Sequence, residues 1–328
     1  MTVRAWRLLR LTVRVAVTAL LLAWLFRQAG GWSPVLSGIR AARPGFIGAA
    51  FLATLIVQAA IAHRLRLLAQ AQGGGLGTRD VMEINLVTLF YGLFLPGGGI
   101  TALVIRFYRL TRVDRRYTAT LAAIVCDRLL ATATLCVAGL LFWLLDGPQR
   151  SKPALLVLLA GSAATALVLA PMFHAAPARW ISLVASRLPL VRGVWPRIAE
   201  ALAVFRAIPL RGQIALAGLS LGAHVLGIAV YFLLARATGV AIGFTPLGWI
   251  RSAAMLVAML PFSVSGLGLR EGAMVALFSQ RGVPGPAALA YSILVFGVTI
   301  LFVGLLGGLI EAVRWLRPWR AGPATRVR

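Results

Sequence analysis

Long apolar stretches, about 17 residues or more each, recur from one end of this sequence to the other. A helix needs roughly that length to cross the hydrocarbon core of a bilayer. A soluble domain would have to bury far too many apolar side chains, because hydrophobic residues make up 60% of the 328 residues and charged residues only 12%. We therefore predict an all-α polytopic membrane protein, with residues 1–328 forming a single integral membrane domain.

The apolar stretches differ in continuity. Two of them are interrupted by proline and glycine, at 84–110 and 249–279, and are predicted to be broken or re-entrant hairpins. The predicted full spans, about six, lie at 15–26, 45–62, 117–145, 153–173, 213–235 and 286–310. The first span also fits a secretory signal peptide, but a retained helix is simpler because the rest of the chain is embedded too. Residues 174–211 alternate apolar and arginine positions, which indicates amphipathic helices on the membrane surface.

The net charge of +25 comes almost wholly from arginine. A basic soluble protein would suggest nucleic acid as a partner, but here the arginines flank apolar segments, where they contact lipid phosphates, so nucleic acid is not expected. If both interrupted segments return to their starting side, 23 basic residues fall in loops on one side and 6 on the other. This bias predicts that both termini are cytoplasmic, in a bacterial or archaeal plasma (inner) membrane.

The interrupted segments show a weak internal repeat. The Leu-Pro pairs at 95–96 and 260–261 are 165 residues apart, and each precedes glycines and then an arginine. The glycines and prolines of the two breaks are Pro96, Gly97, Gly98, Gly99, Pro261, Gly266 and Gly268. In the predicted topology the two hairpins open to opposite sides, which would make 1–150 and 151–328 the halves of an inverted repeat. Both breaks are then expected to line one polar cavity.

The helix that follows each break presents free N–H groups and carries an arginine, Arg106 or Arg270, within a few turns. Such a helix N-terminus is a plausible cradle for a lipid phosphate. The alternative is that the glycines permit close helix packing and the arginines extend to the membrane surface.

Asp127 and Arg128 are the clearest candidates for functional charges, since both lie about ten residues into a predicted span. A charge at that depth costs roughly 3 kcal/mol, so each needs a partner or a function. Neighbours on a helix point about 100° apart, so partners on other elements are expected, with Arg106, Arg270 and Glu271 as candidates. We hypothesise that Arg128 and Arg270 bind the substrate's phosphate and that Asp127 and Glu271 hold them in the empty site. The alternatives are a structural ion network and, for Glu271, a first-turn carboxylate.

Other chemistry is not indicated. The scattered histidines have no metal-ligand spacing, and no histidine cluster, aspartate pair or Ser–His arrangement indicates an enzyme. The sequence has no Walker motif, and the glycine-rich segment at 73–77 is interpreted as a flexible linker. We therefore expect no catalysis, no cofactor and no metal.

These motifs together resemble a known family. The Leu-Pro-Gly-Gly-Gly run at 95–99, the Asp127-Arg128 pair and the stretch from Leu260 through Arg270-Glu271 are similar to those of the flippase-like family, which includes the transmembrane domain of lysylphosphatidylglycerol synthases. The resemblance covers nearly the whole chain. The chain departs from it in lacking the soluble aminoacyl-transferase domain and an arginine expected near residues 295–296.

The resemblance implies a protein that translocates or exports a lipid with an anionic or isoprenoid-type headgroup, in partnership with a lipid-synthesising enzyme in some members. The substrate-binding candidates are then Arg106, Asp127, Arg128, Arg270 and Glu271. The alternative is an accessory or scaffold membrane protein of a lipid or cell-envelope pathway. A scaffold should tolerate neutral substitution of the buried charges, whereas a flippase should not.

Overall fold

A computed structural model describes residues 3–95, 98–147, 151–173, 208–260, 262–263 and 266–316. Regular structure within these ranges is helical, without strands. The helices are α1 (Val3–Gln28), α2 (Trp32–Arg40), α3 (Pro44–Gln70), α4 (Thr78–Phe94), α5 (Gly99–Asp114), α6 (Tyr117–Leu145), α7 (Lys152–Phe173), α8 (Leu210–Thr238), α9 (Phe244–Ala258), α10 (Leu269–Ser279), α11 (Gly285–Phe296) and α12 (Phe302–Leu316), with a π-helical segment, Gly297–Leu301, between the last two.

Five of these elements are long and apolar enough to span a bilayer: α3, α6, α7, α8 and the composite Gly285–Leu316. The second half of α1 and α2 form a further apolar pair, bent by 82°. Large apolar side chains such as Leu144, Leu156 and Leu167 are exposed on the outside of the bundle, where a soluble protein would place polar groups. The predicted all-α polytopic membrane fold is confirmed.

Two predicted boundaries differ from the structure. The loop predicted at 27–44 contains α2, and Gly31 (φ 96°) gives the left-handed turn that bends the chain into it. The second span continues to Gln70, so that Arg64 lies on a helix and is only 3% exposed. The sequence pattern predicts a loop at Arg64, because the apolar span ends at residue 62.

The first interrupted segment is a hairpin of α4 and α5. Near its tip, Gly92 lets the helices approach closely, since a Cβ at Gly92 would lie 2.9 Å from the Cβ of Ala102. At its base, Ile84 of α4 and Arg112 of α5 line a common cleft. The two helices therefore run antiparallel and return the chain to the side on which it entered.

The second interrupted segment is a hairpin of α9 and α10. Near its tip, a Cβ at Gly266 would lie 2.8 Å from the Cβ of Ala258. At its base, Trp249 donates a hydrogen bond to Asp146 at 2.7 Å, and Arg281, just after α10, pairs with the same carboxylate.

The bases of the two hairpins lie at opposite ends of α6. Asp146 caps the C-terminus of α6 and contacts the base of the second hairpin. The N-terminus of α6 follows α5 after only two residues, at the base of the first. The two hairpins thus enter the bundle from opposite ends, as an inverted repeat requires, while the common origin of the two halves stays a prediction.

The glycine-rich segment at 73–77 is held in place rather than free. Gly74 donates to the carbonyl of Ala69 at 2.9 Å, Gly75 donates to Asp114 at 3.2 Å, and Arg116 donates to the carbonyl of Gln72 at 2.9 Å. These bonds attach the segment to the base of the first hairpin, and it links α3 to α4 without regular structure.

Some predictions fall outside the described residues. These are the break residues Pro96, Gly97 and Pro261, most of the amphipathic segment (174–207), and the basic tail beyond residue 316.

Candidate functional site: an arginine-lined cavity

A cavity of about 470 Å³ lies between the two hairpins. Helices α3, α4, α5, α6, α8, α9 and α10 and the π-helical segment all contribute to its lining. Its charged and polar side chains include five arginines, one aspartate, one histidine and one asparagine: Arg64, Arg106, Arg128, Arg251, Arg270, Asp127, His224 and Asn85. Four of the five predicted binding residues, Arg106, Asp127, Arg128 and Arg270, therefore meet in one place.

Asp127 is the central anion of this site and is 1% exposed. Its Oδ1 accepts a 2.8 Å hydrogen bond from Nε of Arg64. Arg64 also donates to the hydroxyl of Ser220 at 2.6 Å, and that hydroxyl lies 2.6 Å from the hydroxyl of Thr134. Arg64 is thus fixed by α6 and α8, and its guanidinium serves mainly to neutralise and position Asp127.

Arg106 is held much less tightly. Its Nη2 lies 3.5 Å from Oδ2 of Asp127, an ion-pair distance too long for a good hydrogen bond. Neither Nη2 nor Nε has a hydrogen-bond partner among the described residues, although the side chain is only 3% exposed. A buried guanidinium with unused donors favours binding an anion in the cavity.

Arg128 has a different setting from that of its neighbour in sequence. Its side chain is exposed while lining the cavity, whereas Asp127 points into the ion pair with Arg64. Asp127 thus has its partners, Arg64 and Arg106, on other helices, as expected for neighbours that face different directions on α6.

Arg270 and Glu271 pair directly at the start of α10. Oε1 of Glu271 accepts a 3.1 Å bond from Nε of Arg270 and a second bond from its Nη2. Oε2 of Glu271 accepts from the backbone N–H of Gly268 at 2.7 Å, as in a capping box. Glu271 thus holds Arg270, as hypothesised, and also caps its own helix, which was the alternative interpretation.

Arg251 and His224 form a second polar cluster, which sequence reasoning missed. Nε2 of His224 lies 2.9 Å from the carbonyl of Ala131, so it carries the proton and donates, and Nδ1 can accept from Arg251 at 3.4 Å. The Arg251 guanidinium lies 5.4 Å from the ring centroid of Tyr231, and its Nε has no hydrogen-bond partner among the described residues. Gly227 makes room for it, since a Cβ there would lie 2.6 Å from Nη2.

The described break residues lie outside the cavity lining, contrary to the prediction. Gly266 packs against Ala258 of its own hairpin, and Gly268 (φ 83°) packs against Leu21 of α1. The N-terminus of α10 is capped by Glu271, so it offers no open cradle for an anion. The hairpins line the cavity through side chains further along their helices, such as Arg106 and Met255.

The Lysylphosphatidylglycerol synthase TM region family matches residues 11–307, a range that includes both hairpins and every arginine of the cavity. This chain belongs to that family. No curated protein matches the chain. The suspected family is therefore confirmed, and the chain is a multi-pass membrane protein of a lipid-related family.

The cavity contains three polar residues that the sequence does not single out as functional. Arg64 lies just beyond the predicted second span, at 45–62, and no motif singles out Arg251 or His224. The signal that could have found the last two is their setting, since Arg251 is the one charged residue of α9 and His224 the one histidine of α8.

Proposed function

We propose that this member of the Lysylphosphatidylglycerol synthase TM region family is a flippase-like protein that translocates or exports a lipid with an anionic headgroup. The observation that carries the proposal is the cavity between the hairpins, where buried guanidiniums of Arg106 and Arg251 retain unused donors. A buried cation without a full set of partners is costly, and an anionic headgroup would provide the missing partner. The proposal assigns no catalytic step to the chain.

The arrangement of the hairpins supports movement of the lipid as well as binding. They approach the cavity from opposite ends of α6, and each is held by an acid from another part of the chain. Asp146 binds Trp249 and Arg281 of the second hairpin, and Glu311 of α12 binds Tyr91 and Arg109 of the first. A central site between two oppositely directed hairpins suits alternating access, in which one side opens while the other stays closed.

The proposed setting is a bacterial or archaeal inner membrane with both termini in the cytoplasm. Of the 23 basic residues assigned to the cytoplasmic loops, two, Arg64 and Arg106, are buried in the cavity instead. The remaining 21 still outnumber the 6 of the opposite loops, so the predicted orientation keeps its basis. A lipid-synthesising enzyme is the proposed partner.

Reconstitution tests the proposal directly. Vesicles carrying the purified protein would receive NBD-labelled phosphatidic acid, phosphatidylglycerol or phosphatidylcholine, and dithionite quenching would report the label that reaches the outer leaflet. We expect faster translocation of the anionic lipids, and a loss of about tenfold or more in Arg128→Gln and Arg270→Gln, because charge-assisted hydrogen bonds are lost.

Arg43→Gln provides the matched control, since Arg43 is exposed and lies outside the cavity lining. It should translocate like the wild type. If neither anionic lipid moves faster than in empty vesicles, the translocation function is rejected. If both cavity variants work at the wild-type rate, the charges are structural and the accessory or scaffold function becomes the better proposal.

A further inference from the structure

The cavity carries a large excess of positive charge. Five arginines line it, and they face two carboxylates, Asp127 in the lining and Glu271 on Arg270, which leaves an excess of three positive charges. A lipid phosphodiester such as phosphatidylglycerol brings a single negative charge, and would leave most of this excess uncompensated. A terminal phosphomonoester brings about 1.5 to 2 negative charges near pH 7.

The free hydrogen-bond donors of the cavity also favour a phosphomonoester over a phosphodiester. Arg106 and Arg251 come from different helices, are 3% and 6% exposed, and retain three guanidinium nitrogens without a hydrogen-bond partner among the described residues. The amide of Asn85 is likewise buried in the cavity wall with neither atom hydrogen-bonded there. A phosphodiester offers two unesterified oxygens, whereas a phosphomonoester offers three and a diphosphate more.

Building on the proposed function, we propose that the cavity selects lipids whose headgroup is a phosphomonoester or diphosphate over lipids with a singly charged phosphodiester. Arg106, Arg128 and Arg251 bind the phosphate oxygens. Arg64 and Glu271 act as positioning residues, since each is engaged with another charged side chain of the site.

The occupant is a lipid rather than free phosphate because the same cavity has an apolar part. Val57, Leu89, Leu135 and Ile300 belong to its lining, and they offer contact to the first carbons of an alkyl or isoprenyl chain. Free phosphate or diphosphate would satisfy the guanidiniums and leave this surface without a partner.

A pair of lipids with identical acyl chains tests the selectivity. Dioleoyl phosphatidic acid and dioleoyl phosphatidylglycerol would be titrated into the protein in neutral nanodiscs, with intrinsic tryptophan fluorescence and native mass spectrometry as readouts. At pH 7.5 we expect phosphatidic acid to bind about tenfold more tightly, as additional charge-assisted hydrogen bonds would provide. At pH 5 the preference should largely vanish, because the second phosphate pKa is about 6.

Two glycines of α8 supply a matched pair of variants. Gly227→Ala would push against the Arg251 guanidinium, whereas a Cβ at Gly222 would meet nothing within 4 Å. We expect Gly227→Ala and Arg251→Gln to reduce the preference for phosphatidic acid severalfold, and Gly222→Ala to retain it. Arg251→Lys, which retains the charge, should keep part of the preference even if the glutamine variant folds poorly.

The outcomes separate the two proposals. Equal binding of both anionic lipids at pH 7.5 would overturn the headgroup preference and leave the transport function standing. Binding of neither lipid would overturn both. If inorganic diphosphate binds as tightly as phosphatidic acid, the site recognises a free anion, and the assignment to a lipid headgroup fails.

Discussion

The two hairpins enter the bundle from opposite ends of α6, and in each an arginine that follows the break lines the cavity, but the charge of that arginine is compensated differently. Arg270 in the second hairpin is paired with Glu271, the next residue of its own helix. Arg106 in the first hairpin depends on Asp127 of α6, at an ion-pair distance of 3.5 Å, and Asp127 is already bonded to Arg64. The arginine that follows the second break is thus neutralised by its own helix, whereas the arginine that follows the first break requires the assembled bundle.

The two hairpins also differ in how the helix after each break is capped. Glu271 caps the helix that follows the second break, whereas α5 begins after Gly98 without a side-chain cap or an acid in its first turn. The second hairpin also lies in a large buried core with Trp249, Phe278 and Tyr291. The comparison indicates that, of the two arginines that follow the breaks, Arg106 is the one that remains available to a ligand. In the second hairpin that property belongs to Arg251 of α9, whose Nε has no hydrogen-bond partner among the described residues.

The largest effect is expected for Asp127→Asn. Loss of this charge leaves Arg64 buried without a carboxylate, and breaking a buried pair costs about 3–5 kcal/mol. Unfolding of the purified protein in mild detergent, followed by titration with denaturant, would measure the lower free energy of unfolding. If Asp127→Asn costs no more than Glu271→Gln, the proposed dependence of the first hairpin on the bundle is wrong.

An intermediate effect is expected for Gly268→Ala at the second break. A Cβ there would lie 2.9 Å from the Cβ of Leu21, and the backbone has φ 83°, so the change should cost about 1–3 kcal/mol. Gly75→Ala is the control, because Gly75 has open space at its Cβ position and no positive φ. Thermal melts of the two variants should differ by several degrees, and coinciding melting temperatures would show that the break tolerates a side chain.

The smallest effect is expected for Glu271→Gln. The amide oxygen can still accept from the backbone N–H of Gly268, so only the ion pair with Arg270 is lost, at a cost of about 1–2 kcal/mol. Because Arg270 then lacks its carboxylate, the affinity for phosphatidic acid should rise. Lipid titration in nanodiscs checks the direction, and a weaker affinity would mean that Glu271 is needed to aim Arg270 at the ligand.

The helical segments and their interruptions could be predicted from the sequence, but the direction of a residue around its helix could not. The two hairpins and the buried Asp127 were predicted because proline, glycine and charge stand out against apolar residues. The partners of Asp127 were only half found, since Arg106 was a candidate and Arg64, 63 positions away, was not. Such a contact depends on how α3 rotates against α6, which apolar helix faces specify poorly in lipid.

The direction that the break glycines face could not be predicted either, for the same reason. Their positions were correct, but whether they face the cavity or another helix is decided by tertiary packing, and Gly268 packs on α1. Arg128 lines the cavity, whereas its neighbour Asp127 contacts Arg64 and Arg106, because successive residues of a helix point in different directions.

The π-helical turn at Gly297–Leu301 has a consequence for the span that contains it. A π turn accommodates about one residue more than an α turn, so everything that follows is rotated by about 100° relative to an uninterrupted helix. Thr299 and Ile300 face the cavity, while Glu311 in α12 reaches Arg109 of the first hairpin. The π turn therefore absorbs a single surplus residue between the ligand-facing half and the hairpin-binding half of this span. Removing one residue from the turn would restore a continuous α-helix with the two halves still aligned, whereas inserting one would rotate α12 by about 100° and turn Glu311 away from Arg109.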